Sequence, residues 1–182
     1  MYLPDGLDQL GLWIAVTMCL VAAITDLRAG KIYNWLTLPV LSVAPLAHLA
    51  LGGWQAALLS GVGLSVCGLI FYVLFRFGGG GGDVKLAAAT GALVGPARGL
   101  EFVFASLVAA ALFSLLWAAV EGKLWGIFRN VGVLLLNPLL PRRRRRALRR
   151  ERLTPIRLGP AFLAGAAAVL LRAHAAPDAL PF

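Results

Sequence analysis

The stretch QAALLSGVGLSVCGLIFYVLFRF, Gln55–Phe77, carries no charge before Arg76. About 20 apolar residues rising 1.5 Å each cross the ~30 Å hydrocarbon layer of a bilayer. This run therefore predicts a membrane-spanning helix, and it sets the reading of everything around it. Upstream, apolar runs cover Leu10–Ile24 and Trp35–Leu51, the second interrupted by Pro39 and Pro45, where a kink is expected. Downstream follow a short run over Val84–Val94, a long one over Leu100–Val120, and a last one over Leu158–Leu171.

Composition agrees with this pattern. Of 182 residues, 60% are hydrophobic and 14% charged, and the mean hydropathy is +0.83. A soluble domain usually carries about a quarter charged residues, because its surface must face water. The formal charge of +9 could point to nucleic acid, but eight of the seventeen basic residues sit in PRRRRRALRRER, Pro141–Arg152. Beside hydrophobic spans, such a cluster marks a cytoplasmic loop attracted to anionic lipid, and nucleic acid is not expected as a partner. The segment EGKLWGIFRNVGVLLLNPLL, Glu121–Leu140, places Leu124, Ile127, Phe128, Val131, Leu134 and Leu135 at helical spacing. Arg129, Asn130 and Asn137 oppose spanning, so a helix lying in the interface is expected there.

Loop charges give an orientation. With six spans and both termini outside, every basic residue except Arg98 and Arg172 falls on one side, as the positive-inside rule requires. The expected architecture is all-α: a single integral-membrane domain over residues 1–182, six transmembrane helices, one interfacial amphipathic helix, and a basic cytoplasmic loop at about 122–157. The first run has an acidic flank and no clean cleavage site, so it reads as a retained span. Cys19 and Cys67 stand alone in apolar runs, which fits buried small side chains better than a disulfide framework or metal ligands.

Among the acidic residues, Asp26 and Asp83 stand apart. Asp26 closes the first span and Asp83 opens the fourth, so the topology puts both at the cytoplasmic edge. An ionisable residue there is costly without a partner or a task. Two carboxylates that approach closely share a proton; one can activate water while the other protonates a peptide carbonyl, which hydrolyses an amide without a metal. The alternative is structural: each aspartate caps a helix or pairs with a neighbour, Asp26 with Arg28 and Asp83 with Lys85. Five glycines, Gly78–Gly82, precede Asp83. They permit a close backbone approach, or merely a loose turn. No Lys-Ser or Lys-Thr follows, so they are not a nucleotide-binding loop.

The segments around both aspartates resemble the type IV prepilin peptidases, membrane aspartic peptidases of GxGD type. Asp26–Pro39, DLRAGKIYNWLTLP, is similar to the family's first motif. Gly80–Leu86, GGGDVKL, fits GxGDxKL, with Gly91 and Gly95 following. Thr154–Gly165, TPIRLGPAFLAG, is a weaker match to the start of the last helix. Tyr33 stands where the family often has Pro, and Arg157-Leu158 replaces a Pro-aromatic pair.

The resemblance implies that Asp26 and Asp83 are catalytic, with Asn34, Thr37, Gly80, Gly82 and Lys85 shaping the site. It implies no cofactor and no metal. The substrate would be a prepilin or pseudopilin cut on the cytoplasmic side of the bacterial inner membrane. The chain opens directly on its first span, like the minimal form associated with tight-adherence (Flp) pili. It has no four-cysteine zinc site, so methyltransferase activity is not expected. A non-catalytic assembly factor and a small transporter using the aspartates as ion sites are the competing readings.

Overall fold

The computed structural model describes residues 5–75, 80–122 and 158–175, with the single positions 125 and 129. Four helices account for nearly all of them: α1 (Asp5–Ala29), α2 (Asn34–Phe75), α3 (Gly81–Val120) and α4 (Gly159–Ala175). No strand occurs among the described residues. The helices α1, α2 and α3 are long and apolar enough to cross a membrane, and α4 is a shorter apolar helix.

At 42 residues α2 would extend roughly 60 Å as one rod, about twice the hydrocarbon thickness. It does not. The chain passes through Pro39 and Pro45 with helical dihedrals and breaks at Gly53, where φ is 75° and ψ −175°. Gly53 falls between the apolar runs Trp35–Leu51 and Gln55–Phe77 and is the residue of α2 that leaves helical dihedrals. A left-handed φ is sterically closed to most side chains, and glycine opens it. Gly95 does the same in α3, with φ 74° and ψ −179°, immediately before Pro96.

Both breaks reverse the chain. Near its start α2 reaches Lys85 through Asn34, while Leu74 near its end lines a cavity with Gly80 and Asp83. The two ends of α2 therefore lie at the same end of the bundle, and Gly53 lies at the other. In α3, Asp83 and Ala110 line that same cavity, so the segment 81–110 also folds back on itself. The helix α4 runs antiparallel to α1: Gly159 meets Asp26, and His174 packs edge-on against Trp13 with centroids 5.9 Å apart.

Small residues dominate the interior. Ala15, Cys19, Ala22, Cys67, Ala87, Ala89 and Ala92 are buried together with Leu86, Phe102 and Phe162. At the tightest crossing, a Cβ on Gly63 would run into the carbonyl oxygen of Gly91, and one on Gly91 into that of Gly63. Ser60 Oγ donates to the Ala92 carbonyl at 2.7 Å one turn away. Close backbone approach through small residues is how helices gain contact where lipid removes the hydrophobic drive between them. The large apolar side chains face outward instead, among them Trp35, Leu46, Trp54, Leu69 and Phe104. Both cysteines are free and buried, as their setting in the sequence implied.

The chain divides into two compact units, Met1–Ala110 with Arg157–Phe182, and Ala111–Ile156. In the second, Phe113 stacks on Trp117 with centroids 6.4 Å apart, and Trp117 Nε1 donates to Glu121 Oε1 at 2.8 Å. The interfacial helix and the arginine-rich loop expected in this unit lie outside the described residues.

Candidate active site

Asp26 occupies the last turn of α1, the negative end of the helix dipole, where a carboxylate is disfavoured. It is also buried, at 8% exposure, and a buried carboxylate needs hydrogen-bond donors. The start of α4 supplies one: Gly159 N–H donates to Asp26 Oδ2 at 2.8 Å. Pro160 follows and has no N–H, so Gly159 offers the first free amide of α4, at the positive end of its dipole. The approach depends on glycine. A Cβ on residue 159 would lie 2.8 Å from Asp26 Cβ and 2.9 Å from Ala23 Cα.

Asp83 is the third residue of α3 and only partly buried. Its Oδ2 accepts from Gly80 N–H at 3.2 Å, while its own N–H donates to the Gly80 carbonyl at 3.1 Å. This reciprocal pair closes the helix start as a capping box does. A Cβ on Gly80 would come within 2.7 Å of Asp83 Oδ2, and one on Gly82 within 2.9 Å of Ile32 Cβ. Two positions of the GGGD stretch thus make room, one for the carboxylate and one for the loop after α1.

The aspartates come together. Asp26 and Asp83 line one open cavity of about 370 Å³, with the α1–α2 connection (Gly30 to Asn34) on one side and Gly80–Gly82 on the other. Lys31 and Asn34 add polar groups to its wall. A second, smaller cavity of about 60 Å³ extends from Asp83 and Gly80 toward Phe71, Ser106 and Phe162.

The expected supporting residues divide. Lys85 does not pair with Asp83 among the hydrogen bonds and ion pairs of the described residues; its Nζ donates to Asn34 Oδ1 at 2.8 Å, joining the start of α3 to the start of α2. Thr37 is fully buried one turn along α2, and its hydroxyl finds no acceptor or donor. It does not line the aspartate cavity, whereas Asn34, Gly80 and Gly82 do. Gly159, Lys31 and Ile32 are site residues that sequence reasoning did not single out. A helix start marked by Pro160 was the available signal for the first.

No group of three or more potential metal ligands occurs among the described residues. The site is a pair of carboxylates from two helices at one end of an apolar bundle. The model of the type IV leader peptidase family matches residues 13–115, which include both aspartates, and the chain belongs to that family. Membership implies a protease with leader-peptidase-like function acting on prepilin-type substrates. No curated protein and no solved structure matches the chain.

Proposed function

We propose that the chain is an aspartic endopeptidase of the bacterial inner membrane that removes the leader of type IV prepilins or pseudopilins, those of tight-adherence pili in particular. The observation that carries this reading is the shared cavity of Asp26 and Asp83. Two carboxylates facing one water-accessible space can hold a single proton between them. The ionised one takes a proton from the attacking water, and the protonated one donates to the scissile carbonyl. The glycine edge Gly80–Gly82 gives an extended substrate backbone access beside Asp83.

The six helical segments, α1, the halves of α2 and α3 on either side of Gly53 and Gly95, and α4, supply six spans. Arg28, Lys31 and Lys85 mark the aspartate end as cytoplasmic, with both termini outside. Cleavage then falls at the cytoplasmic face, where a basic leader remains. At the opposite end the two basic residues have acidic partners: Arg98 Nη2 meets Asp8 Oδ2 at 2.7 Å, and Arg172 Nη1 meets Glu101 Oε1 at 4.0 Å. The arginine-rich loop, Arg142–Arg152, would hold anionic headgroups.

One observation favours a second reading, a non-catalytic assembly factor: each aspartate accepts a helix-terminal amide and so acts as a cap. Asparagine separates the two, because its carbonyl still accepts from Gly80 or Gly159 but cannot carry acid–base chemistry. Co-expression with a prepilin and mass measurement at the leader junction should show cleavage lost in both Asp26→Asn and Asp83→Asn, with the variants present in the membrane. Full cleavage by either variant would sink the dyad and leave the capping role.

A further inference from the structure

On the flank between α1 and the first half of α2, Leu10, Ile14, Val40, Val43 and Leu51 wall a cavity of about 290 Å³. Val43 and Leu51 are 59% and 68% exposed, so the cavity opens on the face that a bilayer would cover. Its volume sits at the lower edge of the range that holds small organic molecules, roughly 300–1,000 Å³. A partner helix, about 10 Å across, would lie over such a cavity instead of entering it. A single acyl chain can fill it.

One wall residue is polar, His48, and it is 5% exposed. Its Nδ1 lies 2.7 Å from the Ala44 carbonyl, which can only accept, so Nδ1 carries the hydrogen of that bond. In the neutral ring Nε2 is then a lone pair that needs a donor. Nε2 is buried and has no hydrogen-bond partner, a costly state for a polar atom. No other side chain lining the cavity carries a polar atom. A water there would find one side-chain partner where buried waters need two or more, so the donor has to arrive with the occupant.

Depth selects the donor. His48 stands about 7 Å along α2 from the Gly53 break, at the end of the bundle away from the aspartates. A charged headgroup is costly inside the hydrocarbon edge, whereas an uncharged hydroxyl bonded to Nε2 is satisfied there. We infer that this cavity binds diacylglycerol, with one acyl chain between Ile14, Val40 and Val43 and the free hydroxyl donating to His48 Nε2. The site shares no residue with the aspartate cavity, so its occupancy does not depend on leader cleavage.

Native mass spectrometry of the delipidated full chain tests this, with diacylglycerol, its methyl ether at the free hydroxyl, and phosphatidylcholine of identical acyl chains added back. The ether keeps the chains and the oxygen but has no hydrogen to donate. One buried hydrogen bond predicts that diacylglycerol binds about tenfold more tightly than the ether, with phosphatidylcholine as weak as the ether. His48→Phe keeps a planar ring and removes the acceptor, so it should bind all three lipids equally. If that variant does not fold, the comparison of the two glycerolipids on the wild-type chain decides alone. Equal binding of diacylglycerol and its ether by the wild type, or a diacylglycerol preference that survives in His48→Phe, would overturn the assignment.

Discussion

The amide of Gly159 and the carboxylate of Asp26, 133 residues apart in sequence, meet in a buried hydrogen bond of 2.8 Å. The bond ties the last helix to one of the two site carboxylates. It places the positive end of α4 against an acid that the end of its own helix disfavours. The orientation of Asp26 therefore depends on a residue outside the span matched to the family.

Gly159→Ala tests that dependence. The added methyl would sit 2.8 Å from Asp26 Cβ, so the start of α4 or the carboxylate must move. Overpacking of this kind costs about 1–3 kcal/mol. If the proposed chemistry holds, leader cleavage should fall by about tenfold or more, since a shift of about 1 Å at a reacting group can cost a hundredfold. Gly61→Ala, where an added Cβ meets nothing within 4 Å, serves as the control and should cleave normally.

Asp83 has two separable contributions, one to stability and one to chemistry. Asp83→Ala removes the acceptor for Gly80 N–H and should lower the unfolding free energy by about 1 kcal/mol, the usual loss for a helix cap. Asp83→Asn keeps an acceptor and should recover most of that loss. Thermal unfolding in one detergent would rank the three proteins. An alanine variant as stable as the wild type would count against the capping geometry.

The Lys85–Asn34 hydrogen bond links the starts of α3 and α2 beside the aspartate cavity. It is solvent-exposed, so its contribution to stability should be modest, about 0.2–1 kcal/mol. Lys85→Met and Asn34→Ala should each reduce leader cleavage by a few-fold, through loosened positioning of the two helix starts. The double variant should lose no more than the worse single one, because both remove the same bond. Additive losses would mean that the two residues act separately.

Much of this was legible in the sequence because the controlling signals are local. Gln55–Phe77 announced a spanning helix, and the helix breaks fell between the apolar runs, at Gly53 and Gly95. Pro39 and Pro45 lie inside α2 with helical dihedrals, whereas Gly53 takes the left-handed φ that glycine alone adopts freely. Asp26 and Asp83 were readable as edge charges, but their common cavity was not, since it arises from the reversal of α2 and α3. Lys85 lay two residues from Asp83 and suggested a local pair. Positions two apart on a helix do not face each other, so its side chain turns instead to Asn34 on another element. Gly159 was invisible as a site residue, because its role is to be small and to present an amide against a distant helix.

The tightest helix crossing yields the last prediction. Gly63 and Gly91 approach so closely that a methyl on either would strike the carbonyl oxygen of the other. Backbone atoms cannot rotate aside as a side chain can, so the two helices must separate. Ser60 Oγ bonds the Ala92 carbonyl at 2.7 Å in the same crossing, and separation would stretch that bond too. Gly63→Ala and Gly91→Ala should each destabilise the fold by about 1–3 kcal/mol. Thermal unfolding in detergent against Gly61→Ala checks this, and unchanged midpoints would mean that the crossing is looser than the glycine pair implies. The aspartates lie at one end of the bundle, away from this contact. Residual leader cleavage should therefore track the amount of folded protein, and cleavage per folded molecule should stay near that of the wild type.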